Sequence, residues 1–187
     1  MTAAAPLPLV LVVVGTDHHP FDRLVGWVDA WAATGPQARV LIQYGTSSPP
    51  RVAEGAPLLP VNELQGSFRE ATVVVCHGGP GSIMGAREAG LVPIVVPRRS
   101  DLGEHVDDHQ VRFSGRVAQA GQVHLATDES ALISLVERAL HGGGGFRFDL
   151  AGEDPAADAV ARFGTLVQGL VDRKRNAHGG QVRRNAR

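Results

Sequence analysis

Three short segments concentrate the residue types that could do chemistry. The first is Cys76-His77-Gly78-Gly79-Pro80-Gly81-Ser82-Ile83-Met84. Glycines between a strand and a helix let the backbone approach a ligand closely, and the free N–H groups of the next helical turn suit a phosphate. Ser82 adds a hydroxyl donor and His77 a ring donor. A tight turn with no ligand would account for the glycines equally well. The second segment, Pro97 to Gln110, crowds Arg98, Arg99, Ser100, Asp101, Glu104, His105, Asp107, Asp108 and His109 into fourteen positions. Such density suits a polyhydroxylated ligand, because every hydroxyl needs a hydrogen-bond partner. A solvated helix start, with acids placed for the macrodipole, explains Glu104, Asp107 and Asp108, but not Gln110 on the inner stripe. The third is Gly15-Thr16-Asp17-His18-His19, where Asp17, His18 and His19 are candidates for proton transfer.

Eight histidines raise the question of a metal. His18 and His19 are adjacent, and His105 and His109 have the i, i+4 spacing of a helical metal pair. Neither pair carries the flanking Glu of a zinc hydrolase, and one cysteine cannot build a thiolate site. The expectation is therefore no metal and no cofactor. Cys76 ends an apolar strand, the usual setting of an inert cysteine, and a single cysteine suits a reducing cytoplasm.

These segments must be positioned by the elements around them. Leu9–Val14 is a continuous β-branched and leucine run, the pattern of a strand buried on both faces of a parallel sheet. After it, Leu24, Trp27, Val28 and Trp31 recur at helical spacing until Gly35-Pro36. The pattern repeats. Strands are expected at Val40–Tyr44, Thr72–Cys76, Val92–Val96 and Gln122–Leu125. Helices are expected around Val61, Leu64 and Phe68 (capped by Asn62), at Ser82–Ala89, at Glu104–Ala120 with Val106, Gln110, Phe113 and Val117 inside, and at Ser130–Leu140. Alternation of this kind gives an α/β fold, a parallel sheet with helices on both faces. Ligands bind such sheets at the C-terminal edge, where the loops after Val14, Cys76 and Val96 would lie together.

The domain is expected to span 1–141. A flexible linker over 142–153 follows it, opened by Gly142–Gly145. Next come a helix over 154–172 with the stripe Val160, Phe163, Val167 and Leu170, and a basic tail over 173–187. That tail holds six of the 18 basic residues and no acid, leaving 12 bases against 19 acids in the remaining 172 positions. An acidic body argues against nucleic-acid binding. No stretch approaches the roughly 20 apolar residues of a membrane span, and Leu7–Val14 lacks the flanks of a signal peptide.

Gly15-Thr16, the His77–Ser82 turn and the Asp107–Gln110 cluster, in that order, resemble the C-terminal domain of glycosyltransferase family 28 over roughly residues 8–140. That domain is the Rossmann-like, donor-binding half of the two-domain architecture called GT-B. The chain is most similar to short members consisting of this half alone, which serve lipid-linked or exopolysaccharide acceptors beside a membrane-associated partner subunit. The resemblance implies that Gly15 and Thr16 face the diphosphate of a UDP-sugar. It places His77, Gly78, Gly79, Gly81 and Ser82 around that diphosphate. His109 and Gln110 are expected at the sugar hydroxyls, and Glu104 and Asp108 within the donor-binding site. It also implies a cytoplasmic hexosyltransferase that works in complex. One position departs from the family: the acid that many relatives place three residues after the serine, for the ribose, is here Gly85. Glu88 stands one helical turn further, about 5 Å away. A subunit that only stabilises or stimulates a separate transferase is the alternative. A nicotinamide-binding domain is disfavoured, since the loop after the first strand lacks G-x-G-x-x-G.

Overall fold

Strand β1 (Leu9–Val13) forms the centre of a six-stranded sheet. In this computed structural model the described residues are 6–148 together with Ala161, Gly164 and Thr165. The expected helix over 154–172 lies almost wholly outside them, and the tail over 173–187 entirely. The strands β2 (Arg39–Gln43), β3 (Glu54–Ala56), β4 (Ala71–Cys76), β5 (Ile94–Val95) and β6 (His124–Leu125) join β1 in the order β3-β2-β1-β4-β5-β6. Every pairing is parallel. The helices are α1 (Asp22–Ala32), α2 (Val61–Glu70), α3 (Pro80–Glu88), α4 (His109–Gln119) and α5 (Glu129–Leu140). Chain order reverses direction across the sheet between β1 and β4, so the loops leaving those two strands diverge and open a crevice.

Alternation along the buried strands separates two cores. Val10 and Val12 of β1 point to one face, with Phe21, Leu24, Val28, Leu132 and Val136 of the α1 and α5 layer. Leu9, Leu11 and Val13 point to the other, against Phe68, Ile83, Ala86 and Val117 from α2, α3 and α4. A strand buried on both sides needs apolar residues at every position, which is why the run is continuous.

The structure departs from the sequence expectations in four places. Strand β3 has no apolar alternation to announce it. Its approach is held instead by the Asp29 carboxylate, which accepts from the backbone N–H groups of Arg51 (2.8 Å), Val52 (2.9 Å) and Ala53 (2.9 Å). Helix α2 starts at Val61 after Pro60, without a cap from Asn62, and Val61 is 71% exposed. The helix expected from Glu104 begins only at His109. Residues 100–102 make a single 3-10 turn, Gly103 is left-handed (φ +70°), and Val106 is exposed rather than internal. Polar contacts of Glu104 and Asp108, described below, hold this stretch as a loop. Finally, Gly142–Gly145 does not release the chain. Phe146 is buried in the core, Val92 N–H donates to its carbonyl (2.9 Å), and Phe148 N–H donates to Gly90 (3.1 Å). The body of the domain therefore runs through Phe148.

Candidate functional site

The loops after β1 and β4 and the start of α4 enclose a cleft of about 700 Å³. Its walls include Gly15, Thr16, Asp17, His18, Gln43, Leu64, His77, Gly79, Gly81, Ser82 and Gln110. Most of the residues expected at the diphosphate thus come together at the switch between β1 and β4. Gly78 lies just behind, buried, its N–H donating to Gln110 Oε1 (3.1 Å).

His77 is the centre of this arrangement. Its ring is clamped between two glycines. A Cβ on Gly15 would stand 2.5 Å from His77 Nε2, and one on Gly79 would stand 2.1 Å from Cε1. Gly15 also has φ +84°, so side chains are excluded there twice over. Burial, and then the nearby Arg98 charge, push the His77 ring down to about 4, which Gln110 and Asp17 offset only in part. The ring is therefore neutral at pH 7, and its buried Nδ1 has no hydrogen-bond partner among the described residues.

Helix α3 begins directly after this ring with Gly79 as cap and Pro80 in the first turn. Pro80 has no N–H, and Ile83 N–H donates to Gly79 (3.3 Å), which leaves Gly81 and Ser82 N–H without intrahelical acceptors. The Ser82 hydroxyl has no partner among the described residues. Two backbone donors, one hydroxyl and a positive helix end make a site for an anion of phosphate size.

The second expected group divides. Gln110 lines the cleft and is buried, yet its Oε1 is engaged by two backbone donors, Gly78 (3.1 Å) and Arg98 (3.3 Å). It ties the loop after β4 to the loop after β5. Glu104 does not line the cleft. Its two oxygens take Arg23 Nε (2.7 Å) and Nη2 (2.8 Å), and Oε2 also accepts from Arg99 N–H (2.9 Å). Asp108 accepts from the N–H (3.0 Å) and hydroxyl (2.7 Å) of Ser100 and faces a separate cavity of about 380 Å³. His109 turns toward Asp107 and is also outside the cleft wall. These three residues shape the loop rather than line the cleft.

In the loop after β1, Asp17 Oδ1 accepts from His19 N–H (2.8 Å) and faces His19 Nδ1 (2.6 Å). Partial burial pushes the Asp17 carboxyl up. The His19 hydrogen bonds and the Arg98 charge outweigh this and bring it down to about 2. A carboxylate so acidic orients its neighbour and is a poor proton acceptor. His18 is 82% exposed and stands on the cleft wall.

Beneath these loops lies Arg98, fully buried. Its Nη1 donates to the carbonyls of His19 (2.7 Å) and Glu104 (3.0 Å), its Nη2 to that of Val14 (2.9 Å), and its guanidinium covers the Phe21 ring at 4.7 Å. The sequence marks Arg98 only as one charge among many. Its position directly after an apolar strand and Pro97 is the signal that could have singled it out. Gln43, also buried on the cleft wall, ends a strand pattern with a polar residue in the same way.

Cys76 is fully buried, and burial alone drives its thiol up, so it is inert.

Several solved glycosyltransferases share this fold. The glycotransferase of kitacinnamycin is 17% identical with a TM-score of 0.56, covering 83% of this chain and 38% of its own. CalG4, the calicheamicin glycosyltransferase, is 17% identical with a TM-score of 0.56, covering 87% and 38%. SnogD from Streptomyces nogalater is 17% identical with a TM-score of 0.54, covering 86% and 40%. The chain thus spans about two fifths of the length of these proteins, as one Rossmann-like half of a GT-B fold. No curated protein sequence matches it. The glycosyltransferase family 28 C-terminal domain matches residues 9–143, which include the cleft, its phosphate-sized helix end and the loops that Arg98 holds. The chain belongs to that family.

Proposed function

We propose that this chain binds the UDP-sugar donor of a hexosyl transfer, with the acceptor half of the cleft supplied by a membrane-associated partner and a lipid-linked or polysaccharide acceptor. The observation that carries the donor role is the end of α3. There Gly81 N–H, Ser82 N–H and the Ser82 hydroxyl have no partner among the described residues, beside a neutral, clamped His77 at the C-terminal edge of a parallel sheet. In the transfer, the bond from the anomeric carbon to the diphosphate oxygen breaks as the acceptor hydroxyl attacks. Negative charge grows on the leaving diphosphate, and fixed donors at the helix end stabilise that charge without reorganising. Being neutral, His77 brings no net charge of its own to the diphosphate.

The acceptor proton needs a base. Within this chain Asp17 and His18 both line the cleft; Asp17 is too acidic to accept the proton well, which leaves His18 as the candidate, with Asp17 and His19 fixing its loop. In this scheme the partner carries the membrane attachment; no helix among the described residues is long and apolar enough to cross a membrane.

One observation favours the second reading, a subunit that only supports another transferase: position 85, where many relatives bear a ribose-binding acid, packs against Phe68. Calorimetric titration with UDP separates the two. Saturable binding that His77→Ala and Ser82→Ala weaken supports the donor role. Absence of UDP binding by the chain, alone and with its partner, leaves the supporting role. Transfer from UDP-sugars to membrane-extracted lipid acceptor, assayed with and without the product of an adjacent membrane-protein gene, then tests the need for a partner.

A further inference from the structure

The loop before α4 and the loop after β1 meet through a row of imidazoles and carboxylates, of which only Asp17 also lines the donor cleft. His105 and His109 were expected one turn apart on a helix. His105 stands instead on a bent loop and His109 opens α4, with Asp107 between them. His105 Nδ1 lies 3.7 Å from Asp107 Oδ1 and accepts a long hydrogen bond from the Asp107 N–H (3.3 Å), which an ion would replace, while Asp107 Oδ1 accepts from the His109 N–H (2.9 Å) and is in hydrogen-bond contact with His109 Nδ1. One donor atom from each of the three residues falls within 4.8 Å of the others. The rings of His105 and His109 meet edge to face at 4.5 Å.

We propose that His105, Asp107 and His109 bind one divalent transition-metal ion of the zinc type, through His105 Nδ1, Asp107 Oδ1 and His109 Nδ1. Two imidazoles and a carboxylate form a donor set that suits zinc, cobalt or nickel rather than magnesium or calcium. The other nitrogen of His105 supplies an observation independent of that triad. His105 Nε2 faces Asp17 Oδ2 at 3.5 Å, and the His105 side chain is only 11% exposed. A metal-bound imidazole commonly directs its second N–H at a carboxylate, which fixes its tautomer. Asp17 is placed for that role from a different loop, 88 residues away in sequence. None of the three ligands lines the donor cleft. The ion therefore clips the loop before α4 to the loop after β1 and does not touch the diphosphate.

The test uses the whole chain without a polyhistidine tag, titrated with Zn²⁺ by calorimetry and with Co²⁺ by visible absorption. One equivalent is expected to bind. His105→Gln and His109→Gln should each weaken binding at least tenfold, and Asp17→Asn by roughly 10- to 100-fold, as for other carboxylates behind metal-bound histidines. His18→Gln should leave the affinity within twofold. UDP affinity should be the same with and without the metal. Imidazole ¹⁵N spectra of the unsubstituted protein assign the ligands without depending on any variant. Zinc should move the Nδ1 resonances of His105 and His109 and leave those of His18 unmoved. Absence of saturable binding, or resonance shifts confined to His18 and His19, would overturn the proposal.

Discussion

The ring of Phe68 occupies the space a side chain at position 85 would need: a Cβ built on Gly85 would lie 2.6 Å from Phe68 Cε2. Phe68 belongs to α2 and is buried, so the contact locks α2 to α3. An acid at 85 would run into α2. Gly85→Glu is accordingly expected to lower stability by about 1–3 kcal/mol, the usual cost of overpacking, without raising UDP affinity. Gly85→Glu with Phe68→Ala should recover part of the space. A gain in UDP affinity in the double variant alone, read by calorimetry, would show that Phe68 blocks a ribose contact.

Ser82→Ala removes one hydroxyl from the end of α3 and disturbs no internal hydrogen bond. UDP affinity should fall by about 1–2 kcal/mol while the melting temperature stays put. An unchanged UDP affinity would place the diphosphate elsewhere.

Gln110→Ala is expected to behave differently from a simple loss of a sugar contact. Its amide oxygen takes the N–H groups of Gly78 and Arg98, both at buried positions. Leaving two such donors unpaired costs about 1–3 kcal/mol each. The melting temperature should therefore drop along with turnover. A stable Gln110→Ala protein with reduced turnover would assign the side chain to the sugar after all.

Acid should destabilise the protein through His77. Its folded value, about 4, is below the ordinary 6.5. The unfolded chain thus takes up the proton first as pH falls. The stabilising contribution is complete above about pH 6.5 and is lost between there and pH 4. Its full size is on the order of 3 kcal/mol. His77→Gln should flatten the dependence of melting temperature on pH in that window. Asp17 acts in the same sense only at lower pH, toward about 2.

His18→Gln should reduce turnover at least tenfold with UDP affinity unchanged, if His18 accepts the acceptor's proton. Full turnover in that variant would move the base to the partner.

The sequence made the sheet legible because its signals are local. A strand buried on both faces reads as an unbroken apolar run, and Gln110 stands out as a polar residue on an apolar stripe. What stayed hidden depends on distant partners. Nothing near Glu104 reveals that Arg23, 81 residues earlier, will draw it out of a helix. Nothing in Glu54-Gly55-Ala56 reveals that Asp29 will hold the approach to that strand. The same limit applies to the site. The glycines around His77 were visible, whereas the inward-turned Glu104 and the loop-bound Asp108 and His109 were not.

Arg98 gives the cleft a mechanical property. One buried guanidinium holds the carbonyls of Val14, His19 and Glu104, and its own N–H is held by Gln110. The loops after β1 and β5 and the start of α4 are therefore fastened to a single hub. Displacing any one of them requires breaking charge-assisted hydrogen bonds in a dry interior, where such bonds are costly to lose. Closure over a ligand thus has to carry these segments together as one body. Whatever presses on the stretch around Glu104 is transmitted through Arg98 to Val14, next to Gly15 on the cleft wall.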